Sequence, residues 1–102
     1  MKLNCIKNIR HTLINNNKLN AISEVLLVAL HDAITTYNDA NSDLKRNGYI
    51  VESYKQKYVN PSYKIRTQSL KDINKILSYF SVELKEDYDD EEVGNFIDSL
   101  IN

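Results

Sequence analysis

Residues 43–61 read DLKRNGYIVESYKQKYVNP, and this stretch decides the fold. Gly48 is placed to end a helix, because glycine is the usual residue just beyond a helix C-terminus. The residues that follow are β-branched and aromatic around the polar Lys55-Gln56-Lys57, which predicts a short β-hairpin over about 49–59. Asn60-Pro61 then supplies an N-cap followed by proline at the first helical position, so a new helix is predicted to begin there.

Apolar residues at helical spacing extend this pattern in both directions. A long helix is predicted upstream, from an N-cap at Asn20 to Asn47, and its length would be about 40 Å. A shorter helix is predicted over 3–15 and another long helix after Pro61. The predicted buried stripes are Leu3, Ile6, Ile9, Leu13 and Ile14; Ile22, Leu26, Ala29/Leu30, Ala33, Tyr37, Ala40 and Leu44; and Ile65, Leu70, Ile73, Ile76/Leu77 and Phe80.

The chain of 102 residues therefore divides into a folded core and a tail. The fold class is mainly α: a helical core over 1–82, with a long helix, a short β-hairpin and a second long helix. From 83 to 92, seven of ten residues are acidic, which predicts a disordered arm over 83–102. The arm ends in an amphipathic motif for docking on a partner, or for folding back over the core: Val93, Phe96, Ile97, Leu100 and Ile101.

The first turns of the long helix are apolar nearly all round, and a helix of this kind must be buried on most sides. Self-association is one explanation, through Val25, Leu27, Val28 and Leu30. The other explanation is that the first helix packs on the second apolar face of the long helix. Arg66 lies within the apolar arc of its helix, where it is either an ion-pair partner, for example of Glu52, or a residue at a subunit seam.

The net charge of −1 is a sum of two opposed regions. Residues 1–82 carry 12 Lys and Arg against 6 Asp and Glu, whereas 83–102 carry one Lys against 8 acidic residues. Within the core, residues 45–75 hold 8 basic and 2 acidic side chains. Basic charge concentrated on one structural unit indicates a polyanion site.

Three lysines sharpen this prediction. Lys64, Lys71 and Lys75 have i, i+7, i+11 spacing, which places them within about 40° of arc on one helix face. They predict a row of phosphate contacts, extended by Lys55 and Lys57 on the hairpin. An ordinary solvated face is the alternative. A third interpretation is pairing with carboxylates of the same spacing on the preceding helix, Asp32, Asp39 and Asp43.

Four tyrosines interleave with these lysines, and base stacking on aromatic rings is one use of that mixture. Packing of the tyrosines against the adjoining helix is the commoner use. The four are Tyr49, Tyr54, Tyr58 and Tyr63.

Several function classes are excluded by composition. Two glycines cannot build a glycine-rich phosphate loop, and one cysteine cannot form an internal disulfide. The longest apolar run, residues 25–30, is too short to cross a bilayer. Neither His11 nor His31 has ligand-spaced partners, and Cys5 is predicted to be a small buried apolar residue. We therefore expect a soluble intracellular protein with no catalytic site, cofactor, metal or membrane partner.

The order helix, Gly48-Tyr49-Ile50-Val51, hairpin, Val59-Asn60-Pro61, helix resembles the small subunit of bacteriophage terminase, in its short family. The resemblance covers about residues 20–82. It implies a non-catalytic protein of the host cytoplasm that forms a ring-shaped homo-oligomer and recognises double-stranded viral DNA. It also implies regulation of the large terminase subunit, the ATPase and nuclease. A helical interaction or scaffold protein and a small dimeric transcription regulator are the alternatives.

Overall fold

The computed structural model describes residues 2–84, which form three helices and one β-hairpin. In chain order these are α1 (Asn4–Asn15), α2 (Ala21–Asn47), β1 (Ile50–Ser53), β2 (Gln56–Val59) and α3 (Pro61–Leu84). The predicted mainly α fold, with a short hairpin between two long helices, is confirmed. The docking motif predicted over residues 93–101 lies outside the described residues.

The ends of the long helices follow the local signals. The Asn20 side chain accepts a hydrogen bond from the Ser23 amide at 2.9 Å, which is the predicted N-cap of α2. Gly48 ends α2 with φ +81°, a conformation that L side chains rarely adopt. α3 continues through Leu84, beyond the core boundary predicted at 82, because no glycine or proline stops it there.

A single apolar cluster joins the three helices. Its buried members are Cys5, Ile9 and Leu13 from α1, Leu27, Leu30 and Ile34 from α2, and Ile73, Leu77 and Phe80 from α3. Burial of Cys5 confirms its predicted structural role, and it raises the pKa of the thiol.

The predicted buried stripes were wrong for several residues. Both α1 and α3 pack on α2, so the buried side of α2 differs from the side that helical periodicity indicated. Ser23, Leu27 and Ile34 face the interior, although none belonged to the predicted stripe. The predicted members that are exposed instead are Leu3, Ile14, Ile22, Ala29, Ile65 and Leu70.

α1 accounts for part of the surplus apolar surface of α2. Leu27 and Leu30 were predicted to form a subunit contact, but they lie in the core cluster with the α1 side chains. The alternative, in which the first helix covers α2, is therefore correct for these two residues. An ion pair between Arg10 and Glu24, which no sequence pattern predicts, connects α1 to the first turn of α2.

The hairpin is a two-stranded antiparallel ribbon in which Glu52 lies opposite Lys57 and Ser53 opposite Gln56. Its two-residue turn is Tyr54-Lys55, not the predicted Lys55-Gln56-Lys57. Both turn residues have positive φ, +50° and +67°. That is the geometry whose twist matches the twist of the flanking strands.

Candidate nucleic-acid interface

The three lysines of α3 lie on its exposed face. Lys64, Lys71 and Lys75 fall within about 40° of one another around the helix axis, opposite the buried Ile73. They form a row of about 16 Å along the helix, since eleven residues rise 1.5 Å each. We call these three residues the lysine face. All three lysines are exposed, on the side of α3 that faces away from the apolar cluster.

An open groove of about 960 Å³ runs beside the lysine face, between α2 and α3. Its apolar lining comes from Ala29 and Ala33 of α2 and from Ile65 and Ile76 of α3. The polar lining includes Lys64 and Lys75 together with Asp32, Thr36, Gln68, Ser69 and Asp72. Gln68 donates to the Asp72 carboxylate at 3.0 Å. The groove lining therefore carries two lysines and two carboxylates, with Asp32 on α2 and Asp72 on α3.

The start of α3 is fixed by Asn60, which is buried and hydrogen-bonded on every side. Its Oδ1 accepts from the Ser62 amide at 3.0 Å, which is the predicted N-cap interaction. Its Nδ2 donates to Asp43 Oδ2 at 2.8 Å and to the Gly48 carbonyl at 3.0 Å. Its backbone amide donates to the Tyr49 carbonyl at 2.7 Å. Through its side chain and its backbone amide, Asn60 therefore joins α2, the base of the hairpin and α3.

Asp43 does not take part in a carboxylate stripe that pairs with lysines, so that interpretation is wrong for this residue. Its carboxylate accepts from Ser62 Oγ at 2.7 Å, Asn60 Nδ2 at 2.8 Å and Asn47 Nδ2 at 2.6 Å. These hydrogen bonds, that of Ser62 first, lower the pKa of the Asp43 carboxyl. Asp43 is occupied in anchoring α3 to the C-terminal end of α2.

Arg66 lies beside the base of the hairpin, and Glu52 is not the partner that the structure gives it. The guanidinium carbon is 5.3 Å from the Tyr49 ring centroid and 5.9 Å from that of Tyr63. Arg66 Nη1 also donates to Asn41 Oδ1 at 3.2 Å and to the Tyr49 hydroxyl at 3.1 Å. Glu52 lies opposite Lys57 in the ribbon. The predicted ion pair is replaced by a cation–π cluster that fixes the hairpin on α3.

The four tyrosines separate into two groups. Tyr49 and Tyr63 pack edge to face with centroids 5.9 Å apart, as the packing interpretation predicted. Tyr58 is about half exposed on β2, and Tyr54 at the turn is 99% exposed. Lys55 and Lys57 are exposed beside it. The lysines predicted as DNA-binding therefore fall on two elements, the hairpin and α3.

Two of the four α2 residues predicted to form a subunit contact remain uncovered in the protomer. Val25 is 68% exposed and Val28 is 60% exposed, near the exposed Ile22. They are what is left of the predicted subunit contact after Leu27 and Leu30 are assigned to the core.

Within residues 2–84 no helix is long and apolar enough to cross a membrane. The same part of the chain holds no group of three or more His, Cys, Asp or Glu side chains arranged to bind a metal ion.

The architecture and the exposed cations define a small, mainly helical protein with a basic face. A family model described as phage terminase, small subunit, matches residues 5–84. The chain belongs to this family, as its resemblance predicted, and the match extends to α1, which the resemblance did not cover. Neither the curated proteins nor the solved structures provide a significant match.

Proposed function

We propose that this protein is the DNA-recognition subunit of a phage packaging terminase, without catalytic activity of its own, acting in the host cytoplasm. The family match supports a role in genome packaging. The single observation that carries DNA recognition is the lysine face. Its three exposed cations lie along one side of α3, within a segment where basic residues outnumber acidic ones by 8 to 2.

A row of lysines held on a rigid helix binds the phosphate backbone through charge, so binding releases counterions and weakens with salt. Each phosphate contact contributes about −0.9 to the slope of log K against log salt on duplex DNA. The triple variant Lys64→Ala, Lys71→Ala, Lys75→Ala is expected to flatten that slope by up to about 2.7 for each protomer engaged. Fluorescence anisotropy with viral duplex DNA over a salt series measures it.

Two controls make this experiment specific. Lys→Arg at the same three positions keeps the charge and should keep the slope. Lys2→Ala with Lys7→Ala removes exposed positive charge from the other end of the core and should change the slope far less. An unchanged slope in the Ala triple variant would exclude the lysine face as the DNA site.

The exposed valines of α2 support assembly into a homo-oligomeric ring. A ring would repeat the lysine face around its axis, so weak phosphate contacts would add by avidity. Val25→Asp with Val28→Asp is expected to lower the particle mass in light scattering, and Val59→Asp on the hairpin is the matched control. A fall in mass for the Val59 variant alone would move the subunit contact to the hairpin.

The large terminase subunit is the proposed protein partner, and the acidic arm is the proposed contact. Sequence alone supports the docking motif: Val93, Phe96, Ile97, Leu100 and Ile101 recur at helical spacing after an acidic run. Deletion of residues 93–102 should abolish capture of the large subunit and leave the urea midpoint of the helical core unchanged. Capture that survives the deletion would exclude this motif as the contact.

A further inference from the structure

The tip of the β-hairpin has side chains that the backbone conformation disfavours. Tyr54 and Lys55 are the two central residues of the turn, with φ +50° and +67°. Asn-Gly is the preferred pair for this turn, because glycine has no Cβ and asparagine tolerates the left-handed region. The chain instead places a tyrosine and a lysine there. Such a departure at a turn is a reason to ask what the two side chains do.

Packing within the protomer does not explain the choice. Tyr54 is 99% exposed, so its ring buries almost no surface against the rest of the chain. By contrast, Tyr49 before β1 and Tyr63 in the first turn of α3 pack against each other and lie beside the Arg66 guanidinium. Tyr49 and Tyr63 are about half exposed, whereas Tyr54 can offer nearly its whole side chain to a partner.

The ribbon that carries the tip is exposed as well. All four residues of β2 are exposed, and Ile50 of β1 is more than half exposed. Lys55 and Lys57 give this end of the hairpin a positive charge, against Glu52 opposite Lys57. A two-stranded ribbon has the dimensions to enter a DNA groove. Side chains with apolar surface at such a point can enter between base pairs, provided that the step unstacks easily.

We propose that the hairpin is a DNA-inserting ribbon in which Tyr54 stacks against a base at a deformable step of duplex DNA and Lys55 contacts an adjacent phosphate. The inference deepens the proposed function, on which it rests, and concerns a different part of the surface. The lysine face holds the backbone without regard to sequence, whereas the tip favours sites that open readily, above all pyrimidine–purine steps.

The test replaces the tip by the pair that suits its backbone. Tyr54→Asn with Lys55→Gly should retain the hairpin and leave the urea midpoint unchanged or raised. The same variant should bind duplex DNA at least about tenfold more weakly, because one base–aromatic stack alone has about this size and the phosphate contact of Lys55 is lost as well. The fluorescence of duplexes with 2-aminopurine at a TA step should change when the wild-type protein binds, because insertion alters the stacking of that base, and should not change with the variant.

Two single variants separate the ring from the charge. Tyr54→Phe keeps an aromatic ring and should preserve the 2-aminopurine signal, whereas Lys55→Gly should lose affinity but keep the signal. A wild-type protein that binds the duplex without any 2-aminopurine response would overturn the insertion, as would unchanged affinity in the Asn-Gly variant.

Other outcomes assign the failure to one proposal or the other. If the Asn-Gly variant changes the particle mass in light scattering and not the DNA affinity, the tip is a protein contact and the insertion is overturned. If the lysine-face variant loses its salt dependence while the Asn-Gly variant binds normally, only the insertion fails. A wild-type protein that binds no duplex at low salt would overturn the proposed function as well.

Discussion

In the three-helix core, Leu13, Leu30 and Phe80 are almost completely buried, whereas in the hairpin Ile50 and Val59 are more than half exposed. An isolated two-stranded hairpin is at best marginally stable in water. This one is held by its connection to the helices, through the hydrogen bonds of Asn60 and the contacts of Arg66. Burial of apolar surface thus fixes the helices, and polar contacts at one junction fix the hairpin. Substitutions on the hairpin surface can therefore alter binding without destabilising the helical core.

The largest difference should appear when equivalent apolar groups are removed from the two regions. Leu30→Ala is expected to lower the free energy of unfolding by about 2–5 kcal/mol, because the deleted groups leave a cavity among tightly packed neighbours. Val59→Ala, on the exposed strand, should change it by no more than about 0.5 kcal/mol. Urea denaturation followed by circular dichroism measures both. Equal losses would mean that the hairpin is buried in the assembled protein.

The second prediction concerns the junction itself. Asn60→Ala removes the N-cap of α3, takes the Asn60 donor from the Gly48 carbonyl and leaves Asp43 with two of its three donors, so we expect a loss of about 2 kcal/mol in the free energy of unfolding. Asn47→Ala is the control, because Asn47 also donates to Asp43 but is exposed. The free energy of unfolding should fall clearly less in Asn47→Ala than in Asn60→Ala. Equal effects would show that the contact with Asp43 alone matters and that the cap does not.

The third prediction concerns the contribution of Arg66 to holding the base of the hairpin. Arg66→Lys keeps the positive charge but loses the planar guanidinium that lies beside Tyr49 and Tyr63, and we expect a loss of about 1 kcal/mol. The particle mass in light scattering should not change. A lower mass for this variant would restore Arg66 to a subunit seam, the role that the sequence left open.

The features that could be predicted from the sequence are those set by residues close together in the chain. The stop at Gly48, the start at Asn60-Pro61 and the hairpin between them depend on residues adjacent in the chain, and all three are confirmed. The lysine face follows from helical spacing alone, given that the helix forms. Its exposure is confirmed, and its role in DNA binding stays a proposal.

What failed depended on contacts between distant segments. Leu27 was misassigned because helical periodicity cannot say that α1 packs on that side of α2. The contacts of Arg66 with Tyr49 and of Asp43 with Asn60 were missed because each joins residues that are 17 positions apart in the sequence. The turn at Tyr54-Lys55 was missed because neither residue is a usual turn residue, so only the observed φ angles reveal it.

The smallest effect should come from Asp43, and it should depend on pH. The pKa of this carboxyl is lower in the folded protein than its ordinary value near 3.8, since the ionised form accepts the hydrogen bonds of Ser62, Asn60 and Asn47. A lowered pKa means that the stabilisation is fully present above the unfolded-state pKa and disappears as pH falls through the folded-state value. Asp43→Asn should therefore be less stable than the wild type at pH 7, and the difference should shrink below about pH 4. Urea denaturation of both proteins from pH 3 to pH 7 measures it, with Asp39→Asn as the control for loss of one negative charge on the same helix. A difference that stays constant over this range would mean that Asp43 acts through the shape of its hydrogen bonds and not through its charge.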